Sequence, residues 1–462
     1  MTKSLSVMKK RILIILFALI AMRGLLCACS SNGTHVIGEG NITTHIEGTL
    51  NSDKWGDELI ICESGTDLRV NWDEKYVVRA KDGHFSCDIL TDHPRLYEVF
   101  FLKQYKEGSW YQGTFLTEGD TVRITITEDR LSDGRDWPKM KFASKGVENR
   151  MHEVEDSIVR ARFEKPLQSL YDQLYDPARE KEYMNAEFLS AGDEWERLQS
   201  ADQLTEAKKD SLMKLFDYYN KNYSERFTPE GLKLHQQIET LEAERLDFRI
   251  NYLTEHPMLW GLYDVYNAAQ MYLSNKRSAY PESANKVYEP YLTLYSDKLS
   301  KCYPGHPVHE QIANTLSQLE MVPGQPYIEY NVRNTDGKLV PISSLIKGKV
   351  ALIDFWASWC GPCRKHSMAM IPIYEKYKDK GFTVIAIARE TEKKAMEKAM
   401  KQDGYPWPSL LELKDENQIW EKNGLGNSGG GMILVDRDGN VLSLSSEAHE
   451  IEPLIRKALG LE

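Results

Sequence analysis

Two cysteines separated by two residues, Cys360-Gly361-Pro362-Cys363, stand where an apolar run hands over to helical spacing, and thiols placed in this way do redox chemistry. Val350, Ala351, Leu352, Ile353 and Phe355 form a run too apolar and too short for anything but a core strand. After Cys363, Met368, Ile371, Tyr374 and Tyr377 resume helical spacing. Cys360 therefore caps a helix. Backbone N–H groups and the dipole at that end stabilise a thiolate, bring the Cys360 pKa below the ordinary ~8.5 and make this the attacking sulfur. Cys363, one turn along, is placed to resolve the mixed disulfide.

The elements that must hold this pair fill the last part of the chain. After the linker Val322-Pro323-Gly324-Gln325-Pro326 the pattern predicts a strand over 350–355, a helix from Cys360, a strand over 382–388 and a helix over about 390–402. A short helix around Trp420, strands over 432–436 and 441–444, and a final helix follow, with Asp438-Gly439 as the hairpin turn. The order is a βαβ unit, then a hairpin and a helix, which makes this domain α/β. From about Gly33 to Phe142 the chain reads as a small antiparallel β domain without catalytic spacing. Asp82-Gly83 lies between two β-rich runs, and Val122, Ile124 and Ile126 alternate with Arg123, Thr125 and Thr127 after Gly119-Asp120. From about Asn149 to Leu319 the text is an α-helical segment, for example 204–219, with Leu212, Leu215, Phe216 and Tyr219 on one side. Pro257, Pro281, Pro290, Pro304 and Pro307 are expected to break it, and its tyrosines with Trp195 and Trp260 read as core. The expected division is 1–28 signal peptide, 29–145 β domain, 146–321 helical domain and 322–462 α/β domain.

With 462 residues, 41% hydrophobic and 10% aromatic, the chain is long enough for about three domains with filled cores. Its net charge of -11, without a basic cluster beyond the first residues, excludes nucleic acid as the expected partner. Lys9-Lys10-Arg11 precede an apolar run over 12–22, which is too short to span a bilayer permanently. Leu26-Cys27-Ala28-Cys29 then fits a bacterial lipoprotein signal. Cys29 is favoured over Cys27 as the acylated residue, because Gly24, Leu25 and Leu26 put a bulky leucine where a small residue is wanted. A plain cleaved signal or a single membrane anchor is the rival. Loss of 1–28 removes Lys3, Lys9, Lys10, Arg11 and Arg23 and no acid, so the charge falls from -11 by five to -16 and the acyl chains must hold the body to the membrane. Ser30 after the modified cysteine resembles enterobacterial lipoproteins bound for the outer membrane. Of the remaining cysteines, Cys62 and Cys87 can pair within the first domain, leaving Cys302 as an odd buried thiol.

Asp354-Phe355-Trp356-Ala357-Ser358-Trp359-Cys360-Gly361-Pro362-Cys363, in this strand order, resembles thioredoxin, and more closely the exported thioredoxin-like oxidoreductases of the TlpA and ResA type. The likeness covers roughly 322–462 and includes Gly324-Gln325-Pro326, Asp336-Gly337-Lys338 and Lys347-Gly348-Lys349. The whole layout is similar to Bacteroidetes-type lipoproteins described as AhpC/TSA or thioredoxin family, whose first two parts have no firmly assigned activity. The resemblance implies a thioredoxin-like fold, Cys360 as nucleophile, Cys363 as resolving thiol and Asp354 as the buried acid beneath them. A carboxylate on an apolar strand also has its pKa raised by desolvation and can move protons for Cys363. Trp356 and Trp359 are expected to shield the site, and Trp359, Gly361, Pro362, Gly430 and Gly431 to dock substrate. Two departures stand out. The family's cis-proline is replaced within Ser428-Gly429-Gly430-Gly431-Met432, Gly430 falling at its place, so docking is looser or different. The early helix proline is also missing, with Met368 near its place and Pro372 as the expected kink.

Gly-Pro between the cysteines resembles the reducing thioredoxins and points to a reductant or isomerase. The expected partners are exported proteins with disulfides and a membrane electron donor, and no cofactor is expected. A zinc site lacks a second cysteine pair, with His366 as the nearby histidine, and no metal is expected. Gly424-Leu425-Gly426-Asn427-Ser428-Gly429 matches GxGxxG but follows a helix and precedes a strand, the reverse of a dinucleotide site. Two rivals share the fold. A peroxiredoxin-like thiol peroxidase needs a lone cysteine after Thr and Pro and an arginine at the peroxide, whereas here Arg364 is expected to point away. A non-catalytic envelope binding protein would keep a static disulfide, which across two residues is a poor staple.

Overall fold

Asp82 and Gly83 adopt φ of 53° and 75°, the positive pair that an Asp-Gly reversal demands, and Lys81 and His84 bridge across it. In this computed structural model, which describes residues 35–52, 54–130, 136–201, 203–276, 283–427 and 429–461, that turn joins strands that belong to different sheets. The dipeptide sets the local reversal, and burial selects the partners. Segment 1–28, Cys29 and Ser428 lie outside the described residues. The chain divides into two units, Met1–Ser64 with Asp73–Gly146, and Gly65–Trp72 with Val147–Glu462.

The first unit is mainly β, with one short α-helix at Leu102–Lys106. Its strands are β1 (Val36–Gly38), β2 (Ile42–Leu50), β3 (Glu58–Glu63), β4 (Val77–Arg79), β5 (His84–Thr91), β6 (Leu96–Phe101), β7 (Gly113–Leu116), β8 (Thr121–Arg130) and β9 (Asp136–Ala143). One sheet has the order β1-β5-β2-β8-β9 and the other β4-β3-β6-β7. The four-stranded sheet is antiparallel throughout; in the five-stranded one, β1 with β5 and β2 with β8 run parallel. Val122, Ile124 and Ile126 face a core with Ile46, Leu59 and Phe101, as alternation along β8 requires. Cys62 on β3 and Cys87 on β5 lie in separate sheets as buried free thiols and do not pair.

The second unit begins its long stretch with helices that include Glu206–Lys221, Pro229–Glu255, Leu259–Lys276 and Ser283–Asp297. Thr205 and Thr228 cap the first two of these by accepting the N–H groups of Lys208 and Gly231 at 3.3 and 3.1 Å. Leu212 and Tyr219 are buried and Trp260 is core, while Trp195 packs against Ala191, Leu198 and Leu212. Pro290 does not break the chain as expected but lies inside Ser283–Asp297. One missing N–H is outweighed where a helix packs along its neighbour, here Leu259–Lys276.

The same unit ends in a five-stranded sheet. A ladder of β10 (Asn331–Arg333) and β11 (Leu339–Pro341) turns at Gly337, whose φ is +79°. Then come β12 (Val350–Trp356), α1 (Gly361–Tyr377), β13 (Phe382–Glu390), α2 (Lys393–Asp403), β14 (Ser409–Leu413), α3 (Ile419–Lys422), β15 (Gly431–Val435), β16 (Val441–Ser443) and α4 (Ala448–Ala458). Sheet order is β14-β13-β12-β15-β16, with β12, β13 and β14 parallel and the last two antiparallel. Strand β14 is an addition to the expected pattern. It is five residues long, follows Pro406 and Pro408, and carries Glu412 inward, so its apolar signal is short and interrupted.

Candidate active site

All seven residues of β12 are buried, because the strand has a neighbour on both sides and helices on its faces. Asp354 is 1% exposed among them, opposite Ala386 on β13 and Met432 on β15. Burial pushes its pKa up to about 7, against a lowering hydrogen bond from Ser367 Oγ to Asp354 Oδ2 of 2.7 Å. Ser367 Oγ also lies 3.0 Å from the Cys363 carbonyl oxygen.

The chain leaves β12 at Trp356 and enters α1 at Cys360, the N-cap. Cys360 Sγ accepts the Cys363 N–H at 3.3 Å, taking up one of the unpaired donors of the first turn, and Pro362 fits that turn because it needs no donor there. Cys360 and Cys363 form a disulfide with Cα atoms 5.3 Å apart, and each is 7% exposed. They line a cavity of about 310 Å³ with Asp354, Trp359, Gly361, Pro362, Gly430 and Gly431, so the residues expected to react and to dock substrate are brought together.

Gly430 occupies the place expected of a proline. No peptide bond among the described residues is cis, and Gly429 has a φ of +148° that side chains rarely adopt. A Cβ on Gly430 would come 1.8 Å from the Phe355 carbonyl oxygen and 3.1 Å from Cys363 Sγ, so glycine is needed for the close approach. The Gly430 N–H donates to Cys363 Sγ at 3.2 Å.

Trp356 is fully buried, its indole N–H donating to Ser409 Oγ at 3.0 Å, and does not line the cavity; Trp359 forms a wall of it. Arg364 grips Asp403 through two hydrogen bonds of 2.7 and 2.6 Å and turns from the sulfurs as expected. His366 Nε2 is 3.8 Å from Glu447.

Several supporting residues escaped the sequence reading. Glu390, 1% exposed, accepts the Ser358 N–H and, at 2.9 Å, its hydroxyl, which fixes the turn before Trp359. Arg389 beside it donates to Asp67 at 2.8 Å, to Asp415 and to Asn427, and its guanidinium lies 5.1 Å from the Trp420 ring centroid. Trp420 in turn meets Trp359 at 6.0 Å. Two charged residues ending an apolar parallel strand were a usable signal, since sites form where such strands end. Asp67 and Arg69, about 290 residues before the cysteines, offered none.

Sheet order, a helix-capping Cys-Gly-Pro-Cys pair and a buried acid beneath it define a thioredoxin-like domain. Residues 324–459 match the Redoxin family. The chain is 31% identical over 123 residues to the thiol-disulfide oxidoreductase ResA of Bacillus thuringiensis (strain Al Hakam), covering 26% of this chain and 66% of that protein. It is 33% identical over 81 residues to the protein of the same name from Bacillus subtilis (strain 168), covering 18% and 45%. The chain thus spans just under two thirds of the first relative and less than half of the second. Among solved structures, a thiol:disulfide interchange protein of the thioredoxin family from Chlorobium tepidum TLS is 25% identical, with a TM-score of 0.25, over 30% of this chain and 98% of that one. The C-terminal domain is thioredoxin-like and is similar to these thiol-disulfide oxidoreductases.

Proposed function

We propose that this protein is an exported thiol-disulfide oxidoreductase that reduces or isomerises disulfides of cell-envelope proteins through Cys360 and Cys363. The observation that carries the reading is the vicinal pair at the amino end of α1, with Cys360 Sγ already in the N-cap position where a thiolate is stabilised. Reduced Cys360 attacks one sulfur of the substrate disulfide, that bond breaks, and the other substrate sulfur leaves and takes a proton. Cys363, deprotonated by Asp354, then displaces the first substrate sulfur and closes the Cys360–Cys363 bond. Two electrons pass from the dithiol to the substrate, which ends as two thiols.

Asp354 suits the proton transfer because burial holds its pKa at about 7, near the working range of a general base. Gly361-Pro362 favours the reducing direction, so a membrane electron donor must recharge the pair. Export rests on the lipoprotein-like signal at 1–28 with Cys29 as the acylated residue, and Ser30 favours an outer-membrane destination facing the periplasm. Arg364, held by Asp403, is not available to polarise a peroxide, which disfavours the peroxidase rival.

The test is reduction of insulin by the dithiol protein, together with a Cys363→Ser trap in native envelopes. The expected results are insulin reduction that is lost in Cys360→Ser, and mixed disulfides with exported proteins in the trap. No insulin reduction and an empty trap would overturn the proposal. A potential near about -120 mV would reverse its direction.

A further inference from the structure

The segment Gly65–Trp72 belongs to the redox unit although the pair it serves lies far along the chain. It is fixed at several points. Asn427 donates to the Gly65 carbonyl at 2.8 Å, Arg389 to Asp67 Oδ2 at 2.8 Å, and Asn71 to Asp415 at 3.0 Å. Asp67 in turn holds Arg69, accepting from its Nε and from one terminal nitrogen at 2.8 Å each. The Arg69 guanidinium lies 4.1 Å from the centroid of the Trp359 ring, beside Cys360. Asp67, Arg69, Trp359, Trp420 and Arg389 thus close a ring of ion pairs, cation–ring contacts and one tilted indole pair.

With Asp415, which also pairs with Arg389, two arginines and two aspartates leave the cluster neutral, but its charges are not equally accessible. The side chains of Asp67 and Arg389 are 4% and 5% exposed and Asp415 20%, whereas Arg69 is 38% exposed and reaches the cavity wall. Among the described residues lining the cavity, the other acidic or basic side chains are Asp354, buried beneath the sulfurs, and His366. A net charge of -11 repels an acidic client over most of the molecule, and here a fixed cation stands at the mouth. An arginine already parked on an aromatic face gives up little freedom when a carboxylate arrives.

We infer that Arg69 is a specificity-determining residue, which receives a carboxylate flanking the target disulfide and so selects acidic protein disulfides. The inference rests on the oxidoreductase reading above. The full chain, reduced, is assayed with three cyclic disulfide peptides that differ only in a flanking Glu, Gln or Lys. Each enzyme is scored by its own ratio of kcat/KM for the Glu and Lys peptides, so a general loss of activity cancels. The wild type is expected to prefer the Glu peptide about five-fold, the scale of an exposed ion pair, with the ratio approaching one at about 0.5 M salt. Arg69→Gln brings the ratio to about one at low salt, and Arg69→Lys, which keeps the charge but loses the fork, retains a smaller preference of the same sign. A preference that survives in Arg69→Gln, or is missing in the wild type, overturns the assignment while oxidoreductase activity stands. If the wild type reduces none of the three peptides, the oxidoreductase reading itself falls.

Discussion

The backbone N–H of Gly430 is aimed at Cys363 Sγ from 3.2 Å, a hydrogen bond that a proline at that position has no hydrogen to make. The buried sulfur of the pair therefore has a donor supplied by the departure from the family pattern. Gly430→Ala keeps the donor but sets a Cβ against the Phe355 carbonyl, and is expected to cost about 1–3 kcal/mol in urea unfolding. Gly430→Pro adds the loss of the donor, and should raise the Cys363 pKa of the reduced protein about one unit above that in Gly430→Ala, read from the cysteine Cβ shifts by NMR. Equal pKa values in the two variants would show the bond to be without effect.

Asp354 gives the stability a defined pH dependence. Its folded pKa is raised from 3.8 to about 7, so the folded state resists its ionisation. Stability from this group is complete below about pH 4 and falls as pH rises toward 7. Asp354→Asn should therefore gain on the wild type by about 4 kcal/mol between pH 4 and pH 8 in urea melts. In kinetics, the wild-type resolution step should accelerate through about pH 7, and that inflection should vanish in the variant.

Arg389 is bound to Asp67 and Asp415 with almost no exposure. Arg389→Met takes one partner from each carboxylate, leaving Asp67 on Arg69 and Asp415 on Asn71, and should destabilise the second unit by about 1–3 kcal/mol. The pair Arg389→Met with Asp67→Asn should cost less than the sum of the single changes, measured as a double-mutant cycle.

Cys62 and Cys87 are expected to be silent thiols. Burial, then the carboxylates of Glu98 and Glu63, drives the Cys62 pKa upward, and burial raises that of Cys87 to about 12. Alkylation of the oxidised native protein followed by peptide mapping should leave both unmodified, while half-buried Cys302 reacts. Modification of Cys87 at a rate like that of a free thiol would contradict its placement.

The redox pair and its acid were legible because their signals are local: an apolar strand, a helix start and two thiols at fixed spacing. Helix 206–221 was legible for the same reason, through the period of Leu212, Leu215, Phe216 and Tyr219. Strand β14 was not, since a parallel strand gains its stability from a partner far away in sequence and needs little pattern of its own. Pro290 misled because a propensity is a local cost that packing can exceed. The Asp67–Arg69–Arg389 ring lay beyond the sequence altogether, since no periodicity links a loop residue to a strand end more than 300 positions away.

A Cys360 thiolate at the amino end of α1 is tested by the iodoacetamide alkylation rate of Cys360 in the reduced Cys363→Ser protein from pH 4 to pH 10, with the site confirmed by mass spectrometry. The expected midpoint lies at least one unit below the ~8.5 of a free cysteine. A midpoint at ~8.5 or above would contradict it.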